Sequence, residues 1–400
     1  MRLAYLSASS GSGGAERCLV DVLTVVRQFE PGWPLHLIVP SDGPLPFAAR
    51  MLGIEVTVLP WPAALERLGD ARARVGAALA RRLATGGLRA VPYARTLARC
   101  LEDIRPDLVH SNSIKTHVLA SAAARRTPVL WHLHDYVGAR SVSRVLLRML
   151  SGRCAAALAA SSAVAADAER VFGGAMAVHC VPNGIDLDEF CPPGASLDLD
   201  AICGLPPAGP ETVRIGLIAT MAFWKGHAVF LRALRSLSRY AAFRAYIVGG
   251  PVYHTTDSQV SLDDLRRTVA ELGLERQVGL AGFVERPASA MRALDVVVHA
   301  STRPEPFGLV VAEAMACGRA VIASRQSGVA EFVRDHEDVI LCESDVDDLA
   351  RALRTVVGDA PLRSRLGANA RATALKYFDR QRMGGEVISI YRDLIGANGR

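Results

Sequence analysis

The sequence predicts an α/β protein of two domains. Three observations carry that reading. The chain has 400 residues, well beyond one ordinary domain of roughly 150. Short apolar runs alternate with glycine turns and helical patterns, which argues for parallel sheets wrapped by helices. A proline- and glycine-rich break then divides the series in two. With 50% hydrophobic and 22% charged residues, the chain is globular, neither disordered nor fibrous.

Residues 2–8 read as a buried strand, and residues 16–27 as the helix after a glycine loop. Apolar runs at 35–39, 56–59, 108–111, 129–132 and 156–160 continue the first series. Residues 190–211 contain Pro192, Pro193, Pro206, Pro207 and Pro210, and read as an irregular connection. Beyond it, strands are expected at 214–219, 245–249, 278–281, 296–300 and 320–323. Helical patterns fall at 228–238, 262–272, 309–315 and 346–356. Residues 379–395 close the chain with helical periodicity through Val387, Ile388, Ile390, Tyr391 and Leu394. The expected division is therefore residues 1–190, residues 191–378 and a terminal helix over 379–400. Ligands of open α/β sheets sit at the carboxyl ends of the strands. Two such domains would hold a ligand in the cleft between them.

Composition excludes several classes. The apolar N-terminal stretch, residues 1–8, is too short for the core of a signal peptide. The most lipid-like run, residues 154–166, stops at Asp167, short of the roughly 20 residues of a span. The chain is thus expected to be cytoplasmic, soluble or peripheral to a membrane. Its eight cysteines (Cys18, Cys100, Cys154, Cys180, Cys191, Cys203, Cys317 and Cys342) form no C-x-x-C pair and show no metal-ligand spacing with histidine. They read as reduced thiols packed as small hydrophobes, and no metal is expected. The net charge is +6 and unevenly spread. Nine arginines lie between Arg67 and Arg105 against Asp70, Glu102 and Asp103. Arg140, Arg144, Arg148 and Arg153 follow, interleaved with Val142, Val145, Leu146, Leu147, Met149 and Leu150. These are either solvated helix faces or a basic amphipathic surface for an anionic membrane or phosphate-bearing lipid. Nucleic acid is not expected, because interleaved aromatics and nucleic-acid modules are both missing.

Two segments could carry chemistry. Gly11-Ser12-Gly13-Gly14-Ala15-Glu16-Arg17 follows the first strand directly. Its glycines would let backbone N–H groups approach an anion at a helix start. It matches neither G-x-G-x-x-G nor a Walker A loop, so it is an ordinary turn or a phosphate- or sugar-facing loop. The second is Glu305-Pro306-Phe307-Gly308-Leu309, with Glu313 eight residues after Glu305. At about 1.5 Å per helical residue, the carboxylates would stand roughly 12 Å apart. That is too far for a paired-carboxylate hydrolase. It suits gripping two ends of one extended ligand, with the N–H groups of Phe307, Gly308 and Leu309 free for phosphate between them. The bland alternative is two unrelated surface glutamates. A carboxylate at 313 among Val310, Val311, Ala312, Ala314 and Met315 argues against it, since it needs a partner there.

Taken together, these segments resemble the retaining glycosyltransferases of family 4. The E-x7-E arrangement of Glu305 and Glu313 looks like that family's signature. Gly13-Gly14-Ala15-Glu16 resembles its N-terminal glycine loop, and Val181-Pro182-Asn183-Gly184-Ile185-Asp186 its V-P-N-G-I/V-D segment. Trp224-Lys225-Gly226 and Gly282-Phe283-Val284 resemble its lysine–glycine pair and its nucleobase-facing loop. The resemblance implies the GT-B fold: two Rossmann-like domains facing each other across a deep cleft, with the C-terminal helix crossing back to the N-terminal domain. The N-terminal domain would bind acceptor and the C-terminal domain a nucleotide-sugar donor. Glu305 would bind donor sugar hydroxyls. Phe307, Gly308 and Leu309 would offer backbone contacts, and Glu313 would hold the ribose. Lys225 would neutralise the diphosphate, while Gly282 and Val284 would flank the base. His134 aligns with the family's active-site histidine, with His132 the choice if the alignment slips by two. Gly13 and Gly14 would face phosphate or acceptor. One departure stands out: the family commonly has an arginine where this chain has Thr220, and a hydroxyl cannot replace a guanidinium fork.

The chemistry so implied is transfer of a sugar to an acceptor hydroxyl with retention, by front-side attack within an ion pair. Amide dipoles and Lys225 would stabilise the leaving diphosphate, without a cofactor or metal. Asp198-Leu199-Asp200 has the D-x-D spacing of a metal site but lies in the proline-rich connection. The acceptor would be a glycan or polyprenyl-linked glycan of envelope or exopolysaccharide assembly. The rival readings are a nucleotide-sugar epimerase or phosphorylase on the same plan, a silent nucleotide-sugar-binding protein, and a nicotinamide-dependent dehydrogenase.

Overall fold

A computed structural model describes residues 1–62, 77–238, 240–250 and 259–398. Contacts divide the chain into two units, Met1–Gly184 with Arg380–Arg400, and Ile185–Asp379. In the first, β1 (Leu3–Leu6) is buried at every position and is an interior strand of a parallel sheet. It is followed by α1 (Gly14–Phe29), β2 (Leu35–Val39), α2 (Pro44–Met51) and β3 (Glu55–Val58). Then come α3 (Ala77–Ile104), β4 (Leu108–Ser111), α4 (Ile114–Ala123), β5 (Val129–Leu133), α5 (Ser141–Leu150), β6 (Ala156–Ala159), α6 (Ser162–Phe172) and β7 (Ala177–Cys180). The order across this seven-stranded sheet is β3-β2-β1-β4-β5-β6-β7. Helices cover both faces, which is why β1, β4, β5 and β6 are apolar or buried throughout rather than alternating.

The second unit repeats the plan. It contains α7 (Leu199–Cys203), β8 (Val213–Ile218), α8 (His227–Leu237), β9 (Phe243–Val248), α9 (Leu262–Glu271), β10 (Val278–Gly282) and α10 (Pro287–Arg292). It continues through β11 (Val296–His299), α11 (Leu309–Ala316), β12 (Ala320–Ser324), β13 (Ile340–Cys342), α12 (Val346–Gly358) and α13 (Ala360–Tyr377). Six parallel strands run in the order β10-β9-β8-β11-β12-β13. From β8 the chain winds outward through β9 and β10, returns beside β8 as β11, and winds the other way. The return makes a topological switch point between β8 and β11.

The last helix, α14 (Arg380–Asn398), belongs to the first unit. Met383, Val387, Ile388 and Tyr391 on α14 join Cys18, Val22 and Val26 of α1 in one buried cluster. Arg380 pairs with Asp21 at 3.4 Å. The V-P-N-G segment fastens this packing. Asn183 Oδ1 accepts from the Cys18 thiol at 3.3 Å, and the Gly184 N–H bonds to Met383 Sδ at 3.0 Å.

Several elements escape the apolar-run criterion. β7 is a half-exposed edge strand and β13 has only three residues, so neither makes a continuous apolar run. α13 is too mixed in polarity to show a stripe along its 18 residues. The 190–211 connection is not wholly irregular, since Asp198 caps the short helix α7 by accepting from the Ala201 N–H. The units part between Gly184 and Ile185 rather than after residue 190. Ile185 N–H bonds to the Phe378 carbonyl, which ties that stretch to the second unit. All eight cysteines are free thiols. Among the described residues no helix is long and apolar enough to cross a membrane. Of the arginine-rich stretch, Arg67, Asp70, Arg72 and Arg74 lie outside the described residues, as do the side chains of Arg81, Arg82 and Arg89.

Candidate active site

The residues singled out in the second unit gather at the carboxyl ends of its strands. The loops after β8 and β11 leave from the two sides of the switch point and bond to each other. Thr302 N–H donates to the Trp224 carbonyl at 2.8 Å, and the Arg303 guanidinium lies 5.7 Å from the centre of the Trp224 ring. One step further, Lys225 Nζ donates to Glu305 Oε1 at 2.6 Å. The other carboxylate oxygen, Oε2, accepts from Ser301 Oγ at 2.6 Å and lies 2.8 Å from His299 Nε2. Burial pushes the Glu305 carboxyl upward, but His299 and Lys225 outweigh it and hold it well below the ordinary range. The side chain is therefore an anion at neutral pH.

Gly226 makes the loop approach possible. It has φ 76°, and a Cβ there would lie 1.9 Å from the Ala300 carbonyl oxygen. Both the left-handed backbone and the contact exclude a side chain. Gly226→Ala is expected to destabilise the second unit by at least about 1–3 kcal/mol from backbone strain alone. Chemical denaturation checks this; a variant as stable as the parent would contradict the packing.

Glu305 is not on the helix of the following segment. The chain turns at Gly308 (φ 100°), and α11 starts at Leu309. The 1.5 Å ruler therefore applies only from residue 309, and the 12 Å separation from Glu313 does not follow. Gly308 lies against Ser327, whose hydroxyl donates to the Phe307 carbonyl at 2.7 Å. Among the described residues, the N–H groups of Phe307, Gly308 and Leu309 make no backbone hydrogen bond, as an anion-binding helix start requires. Phe307 itself is buried against Phe378 and Phe332. Glu313 is buried within α11, 2% exposed. Gly282 ends β10 with φ 69°, and its carbonyl accepts from the Gly249 N–H at 2.8 Å. The half-buried Val284 follows the exposed Phe283. Thr220, two residues past β8, has a buried hydroxyl with no hydrogen-bond partner among the described residues.

The first unit carries its own set. Gly13 caps α1 and Gly14 opens it, after the loop that leaves β1. His134 stands just past the end of β5, its Nε2 2.8 Å from Asn112 Oδ1. Asn112 follows β4, and its Nδ2 donates to the Ala15 carbonyl at 3.0 Å. One amide thus ties the glycine-loop helix to the histidine across the switch point between β1 and β4. Burial lowers the His134 pKa to about 4, so its ring is neutral at pH 7.

Sequence reasoning missed His299, Ser301, Ser327 and Asn112. Polar residues at the ends of buried strands or just past them, as in Val298-His299-Ala300-Ser301, were the available signal. The Asp198–Asp200 pair does structural work: Asp198 caps α7, and Asp200 is buried against Tyr246, Arg214 and Arg244.

Comparison with known proteins agrees with this plan. The family model described as glycosyltransferase family 4 matches residues 12–189, and that of glycosyl transferases group 1 matches residues 210–373. The D-inositol 3-phosphate glycosyltransferase of Xylanimonas cellulosilytica is 33% identical over 232 residues, 56% of this chain and 53% of that protein. The phosphatidyl-myo-inositol mannosyltransferase of Mycobacterium tuberculosis is 32% identical over 226 residues, 55% of each. The chain spans about half the length of the curated relatives it matches. The crystal structure of Anabaena HepE in complex with UDP superposes with a TM-score of 0.78 at 24% identity, covering 98% of this chain and 100% of that one. That likeness shows the fold, GT-B with two Rossmann-like units. With one family model on each half, and both sheets in the order of that fold, the chain belongs to the glycosyltransferases, family 4 in its first half and group 1 in its second.

Proposed function

We propose that this protein is a retaining glycosyltransferase that moves a sugar from a nucleoside diphosphate sugar to the hydroxyl of a glycan or lipid-linked glycan. The observation that carries the reading is the Lys225–Glu305 pair across the switch point of the second unit. A carboxylate offers about four acceptor positions, and three are taken by Lys225, His299 and Ser301, which leaves one for a donor sugar hydroxyl. The ammonium of Lys225 has three protons, and one goes to Glu305, so two remain for the diphosphate. The open amides at 307–309 add fixed dipoles where leaving-group charge develops. Glu313 is assigned to the ribose, Gly282 and Val284 to the base, and Gly13 and Gly14 to phosphate or acceptor. No cofactor or metal enters this scheme, because the D-x-D carboxylates are spent on a helix cap and a buried ion pair. His134, held neutral, is the hydrogen-bonding group assigned to the transferred sugar. The epimerase reading finds no support in either family match.

A thermal-shift series with UDP, GDP and ADP tests the donor site, since a ligand that binds only the folded state raises its stability by mass action. One nucleotide should raise the melting temperature, and Lys225→Ala should abolish most of that rise. No shift with any of the three would overturn the reading.

The acceptor side rests on α5. Val145, Leu146 and Met149 are 56%, 38% and 75% exposed, beside the exposed Arg144 and Arg148. A groove of about 730 Å³ runs past Arg144, Val145, Arg148, Met149, Arg170 and Val171. Apolar tips flanked by guanidinium groups match an anionic lipid surface, which supports a peripheral position at the cytoplasmic face of a membrane. The protein should co-sediment with phosphatidylglycerol vesicles at low salt, and a Val145→Glu, Met149→Glu double variant should not. Equal recovery of the two proteins would remove the membrane from the proposal and leave the transferase intact.

A further inference from the structure

β5 and the residue after it present His132 and His134 on one side, their ring centres 4.2 Å apart. α1 brings Cys18 against them. One ligand atom from each of Cys18, His132 and His134 lies within 4.8 Å of the other two. Met383 of α14 stands alongside, its Sδ 4.0 Å from Cys18 Sγ. Cys18, His132 and Met383 are buried, and His134 is half-buried. Each imidazole is anchored through a single nitrogen. His134 Nε2 is held by Asn112 Oδ1 at 2.8 Å, and His132 Nδ1 lies 3.2 Å from His110 Nε2. His110 is fixed in turn by the Tyr391 hydroxyl at 2.6 Å from its Nδ1. Metal-binding histidines are commonly oriented by a hydrogen bond at one ring nitrogen while the other binds the ion.

We propose that Cys18, His132 and His134 form a site for a soft transition-metal ion, Cu+, with Met383 as a weaker fourth donor. The donors are a thiol, a thioether and two imidazoles, with no carboxylate among them. That set selects soft and borderline ions over Mg2+, Ca2+ or Mn2+. Metal–sulfur and metal–nitrogen bonds of about 2.3 and 2.0 Å require the three atoms to draw in by no more than roughly 1 Å, which side-chain torsions supply. On binding, the Cys18 S–H bond breaks and a sulfur–copper bond forms. The proton leaves to solvent, and the thiol's hydrogen bond to Asn183 is given up. The imidazoles bind through lone pairs, and copper stays Cu+ throughout. An occupied site withdraws His134 from other work. If His134 serves sugar transfer, as proposed above, Cu+ inhibits it.

The test uses the full chain under anaerobic conditions, with Cu+ supplied in competition with a colorimetric Cu+ chelator. One ion per chain is expected, and Cys18→Ala should weaken binding by at least about 100-fold, the upper end of what losing even an outer-shell partner costs. Melting curves without metal verify that this variant is folded. X-ray absorption at the copper edge should show a sulfur ligand in the parent that Cys18→Ala removes. Equal affinity in parent and variant, or a copper environment without sulfur, would overturn the site. Zn2+ measured in parallel should bind more weakly, and tighter Zn2+ binding would overturn the choice of ion. In the activity assay Cu+ should inhibit the parent and spare Cys18→Ala, whose metal-free rate is unchanged. Stoichiometric, Cys18-dependent binding without inhibition supports the metal site and counts against the role given to His134, so the two readings fail separately.

Discussion

Glu305→Gln should lower the rate of sugar transfer by about 10²-fold, the order of effect expected when a bound substrate is misplaced. The substitution keeps the shape but replaces one acceptor oxygen with a donor. The new NH2 must face either Lys225 Nζ or the Ser301 and His299 donors, which now crowd Glu305 at 2.6–2.8 Å. Either Lys225 or the Ser301 and His299 pair then loses its acceptor. Because Lys225 and Glu305 are both largely buried, at 18% and 17% side-chain exposure, breaking the pair should also cost the second unit about 3 kcal/mol. Lys225→Met should produce a comparable loss, and the double variant little more than either single one, since the residues act as a unit. Steady-state kinetics with circular dichroism as a folding control measure this. A Glu305→Gln enzyme close to the parent rate would mean that the carboxylate only holds the two loops together.

Asp200→Leu should be the most damaging change away from the site, destabilising the second unit by about 3–5 kcal/mol. Asp200 accepts from the Tyr246 hydroxyl at 2.9 Å and the Ala208 N–H at 2.9 Å, and pairs with Arg214 at 3.3 Å and Arg244 at 3.6 Å. Arg244 is buried on β9, so removal of the carboxylate strands a guanidinium in the fold. Burial raises the Asp200 carboxyl, but the Ala208 N–H, Tyr246 and the two arginines together bring it below its ordinary 3.8. The folded state therefore binds its proton less readily than the unfolded chain. Its stabilisation is complete above about pH 4 and fades as pH falls below that value. Urea denaturation at pH 7 and pH 3 should show a gap between parent and variant that narrows in acid. An unchanged gap would assign the loss to packing rather than charge.

The fold was readable because apolar runs between glycine turns can be buried only as the strands of a covered parallel sheet. What stayed hidden were elements with weak patterns: the edge strand β7, the three-residue β13 and the mixed-polarity α13. In the site, Glu305 and Gly308 announced themselves by residue type, and Lys225 and Gly226 by resemblance to a known family. His299, Ser301 and Asn112 did not, because a polar residue at or after a strand end is common and only its neighbours give it a task. Thr220 is a departure from the family pattern in sequence and a buried hydroxyl without a partner in the structure, and nothing around it explains the exchange.

Local pattern alone settled that two α/β units follow one another and that an acidic loop opens a helix in the second. It could not settle which loops meet. Lys225 and Glu305 are 80 residues apart, and Cys18 and His134 are still more distant along the chain. Their meeting depends on strand order, β8 beside β11 and β1 beside β4, with α14 folded back on α1. Strand order is set by how whole faces pack, a property of the sum of many contacts. No short window of residues carries it.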